Sequence, residues 1–345
     1  MPAYIDAVLR EARTYPEGTE IETFYLGGGT PSLLPAPLLD KLLTGLRNHF
    51  SFSENAECTS EANPGTLTAA WLEAAVAGGI NRLSMGLQAV QPHLLKTLGR
   101  IHSYEQAVQS VAMARAHGLT NINLDLMLGL PGQTLSDWHE SLQAALSLEP
   151  QHLSCYGLIP EEGTPLYAAL QEGSLVLPEE DVERQMYDDT IRILGEHGLA
   201  QYEISNFAKP GYACQHNLGY WRQVPYIGLG ASAAGMLPDA TGKAAYIRRT
   251  NPRTIGAYLR GDAPEVETIS REDARFETLM LGLRTTEGVS EAAFFRMHSV
   301  TLESCYGPRL CALAEKGLLV AKNGQWALTR RGMDIQNSVL VELMD

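Results

Sequence analysis

Residues 24–34 read FYLGGGTPSLL. An aromatic and aliphatic run with strand character stops at Gly27, Gly28 and Gly29. Thr30, Pro31 and Ser32 follow, then the leucines of a helical pattern. Glycine at a strand end packs no side chain and loses the most backbone entropy on folding. Three in a row imply that something must approach the backbone closely there.

The same design recurs outward from this stretch. The β-rich runs IETFYLGGGTP, AECTSEANP, INRLSMGLQ, TNINLDLMLGLPG and HLSCYGLIPEEGTP alternate with helical patterns. Residues 37–50 place Leu38, Leu39, Leu42, Leu43 and Leu46 on one face of a helix. Ser103 and Gln106 form a capping box that opens another helix, which Gly118 can close, and Thr68 and Gly78 bracket a third. Strands and helices alternating at this spacing predict βαβ units and a parallel sheet, hence an α/β fold.

Each β-run ends in a polar or backbone-permissive residue: Gly27–Thr30, Glu61 with Asn63, Gln88, Asp125 and Gly157. In parallel α/β architectures the ligand lies outside the carboxyl ends of the strands. Five consecutive runs therefore aim polar groups at one mouth.

The 345 residues suit one large α/β unit with a smaller domain. A net charge of −14 argues against a nucleic-acid partner. No apolar run is long enough to span a bilayer and no signal peptide is evident, so the expectation is a cytoplasmic protein, compatible with peripheral membrane association. The five cysteines, Cys58, Cys155, Cys214, Cys305 and Cys311, form no CxxC pair or compact ligand cluster, which supports neither a disulfide framework nor a zinc site.

The last 75 residues differ. RFETLMLGLRTTEGVS and ESCYGPRLCALAEKG read as helices, and LLVAKNGQWALT as a hairpin turning at Asn323-Gly324, a winged-helix-like order. Residues 271–345 hold nine Lys/Arg against ten Asp/Glu, which is no footprint for DNA and suits a lid or docking module. The expected division is a partial barrel over 1–200, an accessory strand and loop region over 201–265, and the winged-helix-like domain over 270–345.

The blocks GGGTPSLL, EANPGT, LGRIHS, NLDLMLGLPGQT, HLSCYGL, YEISNFAKPGYACQHNLGYW and YIGLGASAAG, in this order, resemble the radical S-adenosylmethionine (SAM) family of coproporphyrinogen III oxidase-like proteins. The resemblance covers nearly the whole chain. It implies a (β/α)6 radical-SAM-type barrel followed by the winged-helix-like domain. It also implies that Gly28, Gly29 and Thr30 lie against the methionine end of SAM, with Glu61, Gln88, Arg100 and Asp125 as its polar wall and Gly157 as a backbone contact. Arg100 suits a carboxylate and Asp125 a ribose diol. Ala89 stands where the family has Ser after the Gln, and Ala234 where many relatives carry His.

The block His216, Asn217, Tyr220, Trp221 resembles the heme-chaperone branch of that family rather than the oxidase. An imidazole is a good axial ligand for heme iron and aromatic rings stack on a macrocycle, so His216 is the candidate iron ligand. The branch implies a chaperone that passes heme to an acceptor protein. The alternatives are an oxygen-independent coproporphyrinogen III oxidase and a non-catalytic remnant. Radical SAM chemistry needs a CxxxCxxC motif for a 4Fe–4S cluster. The family carries it upstream of the helix that PAYIDAVLREART resembles. The first barrel strand and the cluster loop are therefore expected to be missing here, either because the chain starts at an internal Met or because it is a truncated paralogue. A cluster is expected only with an upstream CxxxCxxC.

Overall fold

The computed structural model describes residues 1–344. The chain separates into two units: residues 18–201 with 205–214, called the barrel unit below, and residues 1–17, 202–204 and 215 onward.

In the barrel unit the strands are β1 (Glu20–Leu26), β2 (Ser51–Ala62), β3 (Arg82–Gln88), β4 (Asn121–Leu128) and β5 (His152–Gly157), each parallel to the next. Two short strands complete the sheet, β6 (Ala200–Glu203) and β7 (Asn206–Ala208), giving the order β1-β2-β3-β4-β5-β7-β6 with β7 antiparallel to β5. The five β-rich runs are thus the five parallel strands of a partial barrel. The last residues of β6 group with the second unit.

Local chemistry starts two of the helices where expected. Thr68 Oγ1 accepts from the Trp71 N–H, and Ser103 with Gln106 closes a capping box ahead of the helix Tyr104–Ala116. A second box, Thr134 with Asp137, opens the helix Leu135–Ser147. The helices cover the outer face of the sheet with a continuous core. Leu83, Met85, Leu124, Leu126 and Leu153 from the strands meet Leu39, Trp71, Leu72, Trp138 and Leu142 from the helices. The apolar stripe read over 37–50 is buried at Leu39, Leu42, Leu43 and Leu46.

The second unit contains the helix Pro2–Ala12 and the antiparallel sheet of β8 (Ala234–Pro238), β9 (Tyr246–Thr250) and β10 (Glu265–Ile269). It also contains the C-terminal helices with β11 (Val289–Ser290), β12 (Leu319–Lys322) and β13 (Gln325–Leu328). The β12–β13 hairpin turns through Asn323 and Gly324 at φ 53° and 72°, the left-handed pair that a two-residue hairpin loop demands. The strand order β11-β13-β12 and the packed helices have the winged-helix-like arrangement. Glu11 ties the first helix into this unit: it accepts from Gly230 N (2.9 Å), Asn251 Nδ2 (2.6 Å) and the Tyr258 hydroxyl (2.6 Å). No helix among the described residues is long and apolar enough to cross a membrane.

Trp138 is fully buried, and its indole N–H is shared between Met186 O (3.0 Å) and Thr190 Oγ1 (2.9 Å). Trp138→Ala removes that volume and the indole hydrogen bond, while Met186 O keeps the Thr190 hydroxyl as a donor. It should cost about 3–5 kcal/mol, seen as a lower urea midpoint for the barrel unit. A midpoint equal to the parent's would contradict the packing described.

Candidate functional site

Successive side chains on a strand alternate between faces, and the register sorts the barrel strands into a polar inner face. Tyr25, Thr59, Arg82 and Asn121 form one row, Glu61, Ser84, Asn123 and His152 the next, and Gly86, Asp125, Ser154 and Asn206 the third. The residues between them enter the apolar outer layer.

At the carboxyl end of β1 the three glycines serve different needs. A Cβ on Gly27 would stand 2.8 Å from the Tyr25 ring and 3.0 Å from Glu61 Oε1. Gly28 and Gly29 have open space around them but φ of 83° and 62°, the left-handed region that favours glycine. That conformation aims the Gly28 N–H at Glu61 Oε2 (3.1 Å), while the Tyr25 hydroxyl donates to Glu61 Oε1 (3.0 Å). Burial, with the charges of Glu61 and Asp125, pushes the Tyr25 hydroxyl up, so it remains a donor. The segment after the glycines is pinned by the Trp71 indole N–H on Pro31 O (3.2 Å).

Thr30 Oγ1 accepts from Asn63 Nδ2 (3.1 Å), and Arg100 Nη1 lies 3.4 Å from Asn63 Oδ1. Gln88 has φ 66°, a backbone conformation that costs a non-glycine residue roughly 1–2 kcal/mol. It turns the amide back over Gly86, where a Cβ would meet Nε2 at 2.8 Å. The Tyr156 hydroxyl donates to Gln88 Oε1 (3.0 Å), which orients the amide. Asp125 accepts from Asn123 Nδ2 at 2.7 Å. Burial pushes its carboxyl up to about 6, against the hydrogen bonds from Asn123 and Ser154 and the Arg82 charge, and with the Glu61 charge adding to the rise.

The expected residues Gly28, Gly29, Thr30, Glu61, Gln88, Arg100 and Asp125 thus meet around the carboxyl ends of β1–β4. Gly157, paired with Leu128 at the carboxyl end of β5, has its Cβ position 3.1 Å from Glu183 Oε1, toward the helix Glu180–Glu196. Tyr25, Asn123 and Tyr156 also belong to the site and were not singled out from sequence. The alternation of NLD, which puts Asn123 and Asp125 on one face, is the signal that finds Asn123.

The block at 216–221 lies in the second unit on the helix Gln215–Trp221. His216 Nε2 and the Tyr220 hydroxyl are 3.0 Å apart one turn along the helix, and their rings meet edge-on at 4.8 Å. Tyr220 meets Tyr226 in the same way at 4.8 Å. Arg284 lies over the Trp221 ring at 4.7 Å, and the buried Trp221 Nε1 has no hydrogen-bond partner among the described residues. Asn217 lies on the same turn, half-buried. None of the five cysteines is in a disulfide, and among the described residues no three His, Cys, Asp or Glu side chains are grouped to hold a metal.

The radical SAM superfamily model matches residues 3–145, and the HemN C-terminal domain model matches residues 269–335. The heme chaperone HemW of Bacillus subtilis is 37% identical over 93% of this chain and 84% of its own length. That of Escherichia coli is 36% identical over 94% and 85%. Among solved structures, the coproporphyrinogen III oxidase HemN of Escherichia coli, a radical SAM enzyme, superposes with a TM-score of 0.81. It is 22% identical, and the match covers 99% of this chain and 82% of that one. At that identity the likeness concerns the fold.

A carboxyl raised in the folded state destabilises the fold once it ionises. The penalty at Asp125 is absent below the ordinary aspartate value, grows as pH rises toward about 6 and is constant above. Asp125→Asn should therefore match the parent's stability near pH 3.5 and exceed it at pH 8 by about 2–3 kcal/mol. Denaturant titrations at the two pH values check this, and a pH-independent difference would contradict it.

Proposed function

The chain belongs to the heme chaperone HemW family of the radical SAM superfamily, and from that membership we propose that it binds SAM on the inner face of the barrel unit, binds heme at the His216 block, and hands the heme to an acceptor protein. One observation carries the SAM reading: two carboxylates, an amide and a guanidinium converge at one mouth beside an open glycine segment. SAM carries hydroxyl and ammonium donors together with a carboxylate, so this donor and acceptor set fits it.

In this reading Asp125 accepts from the ribose diol and Arg100 meets the carboxylate of the methionine part. Gly28, Gly29 and Thr30 leave room for its ammonium end. Gln88, with its oxygen held by Tyr156, holds its amide N–H groups over Gly86 on the inner face, and Glu61 stiffens the glycine segment through Gly28. Gly157 offers backbone polar groups on the next strand. SAM supplies a sulfonium whose reductive chemistry belongs to a 4Fe–4S cluster. The residues here do not fit that cluster: Cys58, Cys155 and Cys214 are buried, and the five thiols are not grouped. No step is derived through it. Reconstitution of this chain with iron and sulfide should leave no 4Fe–4S centre, and an electron paramagnetic resonance signal near one centre per chain would contradict that.

For heme, His216 is half-buried, and its Nε2 lies 3.0 Å from the Tyr220 hydroxyl, a contact that an iron ligand can replace. Asn217, Tyr220 and Trp221 flank it with one amide and two aromatic rings. The heme-chaperone name of the relatives supports this reading over the oxidase, whose likeness concerns the fold.

The two sites can be tested against each other. His216→Ala should weaken heme binding more than about tenfold and shift the Soret band, with SAM binding unchanged. Asp125→Ala should weaken SAM binding by about ten- to a hundredfold and leave the heme spectrum as it was. Equal heme affinity and spectrum for His216→Ala and the parent would remove the iron-ligand assignment.

A further inference from the structure

We infer that Asn123 is a positioning residue that holds the Asp125 carboxylate in the orientation in which it meets its ligand. The inference rests on the SAM reading above, in which Asp125 faces the ribose diol.

Asn123 is buried on the inner face, and its amide is saturated. Nδ2 donates to Asp125 Oδ1 (2.7 Å) and to Ser84 Oγ (2.8 Å). Oδ1 accepts from His152 Nδ1 (2.6 Å) and from the Ser154 hydroxyl (3.2 Å). An ionised carboxylate only accepts hydrogen bonds, so the nitrogen of Asn123 must face Asp125 and the oxygen must face His152. His152 then carries its proton on Nδ1. Burial, with the Arg82 charge, pushes His152 well below the ordinary histidine value, so the ring stays a neutral donor. The amide cannot flip without setting its oxygen against the carboxylate and its nitrogen against a donor. This fixes the carboxylate through its largest hydrogen-bond contribution, with the Ser154 hydroxyl contributing less, and leaves its remaining lone pairs for a ligand.

The other titratable groups around Asp125 do not replace this contact. Glu61 on β2 repels the carboxylate and Arg82 on β3 attracts it. Tyr25 on β1 and Tyr156 and Cys155 on β5 are neutral, each pushed up by burial first and by the Asp125 charge in addition. Asn123 is the side chain that is itself held on every hydrogen-bonding atom and passes that constraint to the carboxylate. Removing it should make Asp125 harder to ionise, an effect that a loss of packing alone does not produce.

The test titrates Asp125 in ligand-free protein by carbon-13 NMR of carboxyl-labelled aspartate, with Asp125→Asn assigning the resonance. SAM affinity is measured in parallel at pH 7 and pH 9. Asn123→Ala and the gentler Asn123→Ser, whose hydroxyl is too short to reach the carboxylate, should raise the Asp125 midpoint by about one to two pH units. Both variants should unfold cooperatively. SAM affinity should fall about tenfold at pH 7 and recover only in part at pH 9, where Asp125 is ionised in parent and variants alike but its orientation is not restored; complete recovery overturns the positioning role. An unchanged midpoint in both variants overturns the role of Asn123. A raised midpoint with unchanged SAM affinity at pH 7 overturns the placement of Asp125 at the ribose, and with it the positioning role.

Discussion

The inner face of the sheet must carry polar side chains that satisfy one another, and the rest of the barrel unit follows from how this is done. The outer face of β3, β4 and β5 is sealed by helices, and apolar residues pay for its burial through Leu83, Leu124 and Leu153. The inner rows hold Arg82, Ser84, Asn123, Asp125, His152 and Ser154 instead. Buried polar groups without partners cost about 1–3 kcal/mol each. A slip of one residue in register would exchange the two faces and bury Asn123 and Asp125 among leucines. The polar network and the strand register therefore specify each other.

The same coupling explains the glycines. Gly27 is small because Tyr25 and Glu61 fill the space above it. Gly28 and Gly29 are glycine because of their backbone angles, not because a neighbour crowds them. Gly86 is small because the Gln88 amide folds back across it. All four of these positions follow from contacts or angles visible within the chain, so the absence of a side chain is not by itself the mark of a ligand. The strain at Gln88 points to function more directly: a non-glycine residue keeps a left-handed backbone, with its side chain tethered by Tyr156.

Much of this was legible in the sequence because it is local. The capping box at Ser103, the N-cap at Thr68, the turn at Asn323-Gly324 and the alternation of strands and helices are decided by residues within a few positions of one another. The polar strand ends were legible because a parallel sheet puts all carboxyl ends on one side. Tyr25 and Tyr156 were not, since their roles depend on partners across the sheet: Tyr156 reaches Gln88 across 68 positions of chain, and Tyr25 reaches Glu61 across 36. The first helix was likewise opaque. Nothing in PAYIDAVLREA announces that Glu11 will be bound by Gly230, Asn251 and Tyr258, the last of them 247 positions away.

The enclosed carboxylate links ligand binding to protons. Free Asp125, raised to about 6, is partly protonated in weakly acid solution. A ligand that donates hydrogen bonds to it favours the ionised form and lowers its value, so binding near pH 6 releases a fraction of a proton and tightens as pH rises. The carboxylate is thus kept in an environment unfavourable to its charge until donors arrive, with Asn123 holding its geometry in the interval. The stability given up at this position and the affinity available there come from the same desolvation, and a substitution that relieves one removes the other.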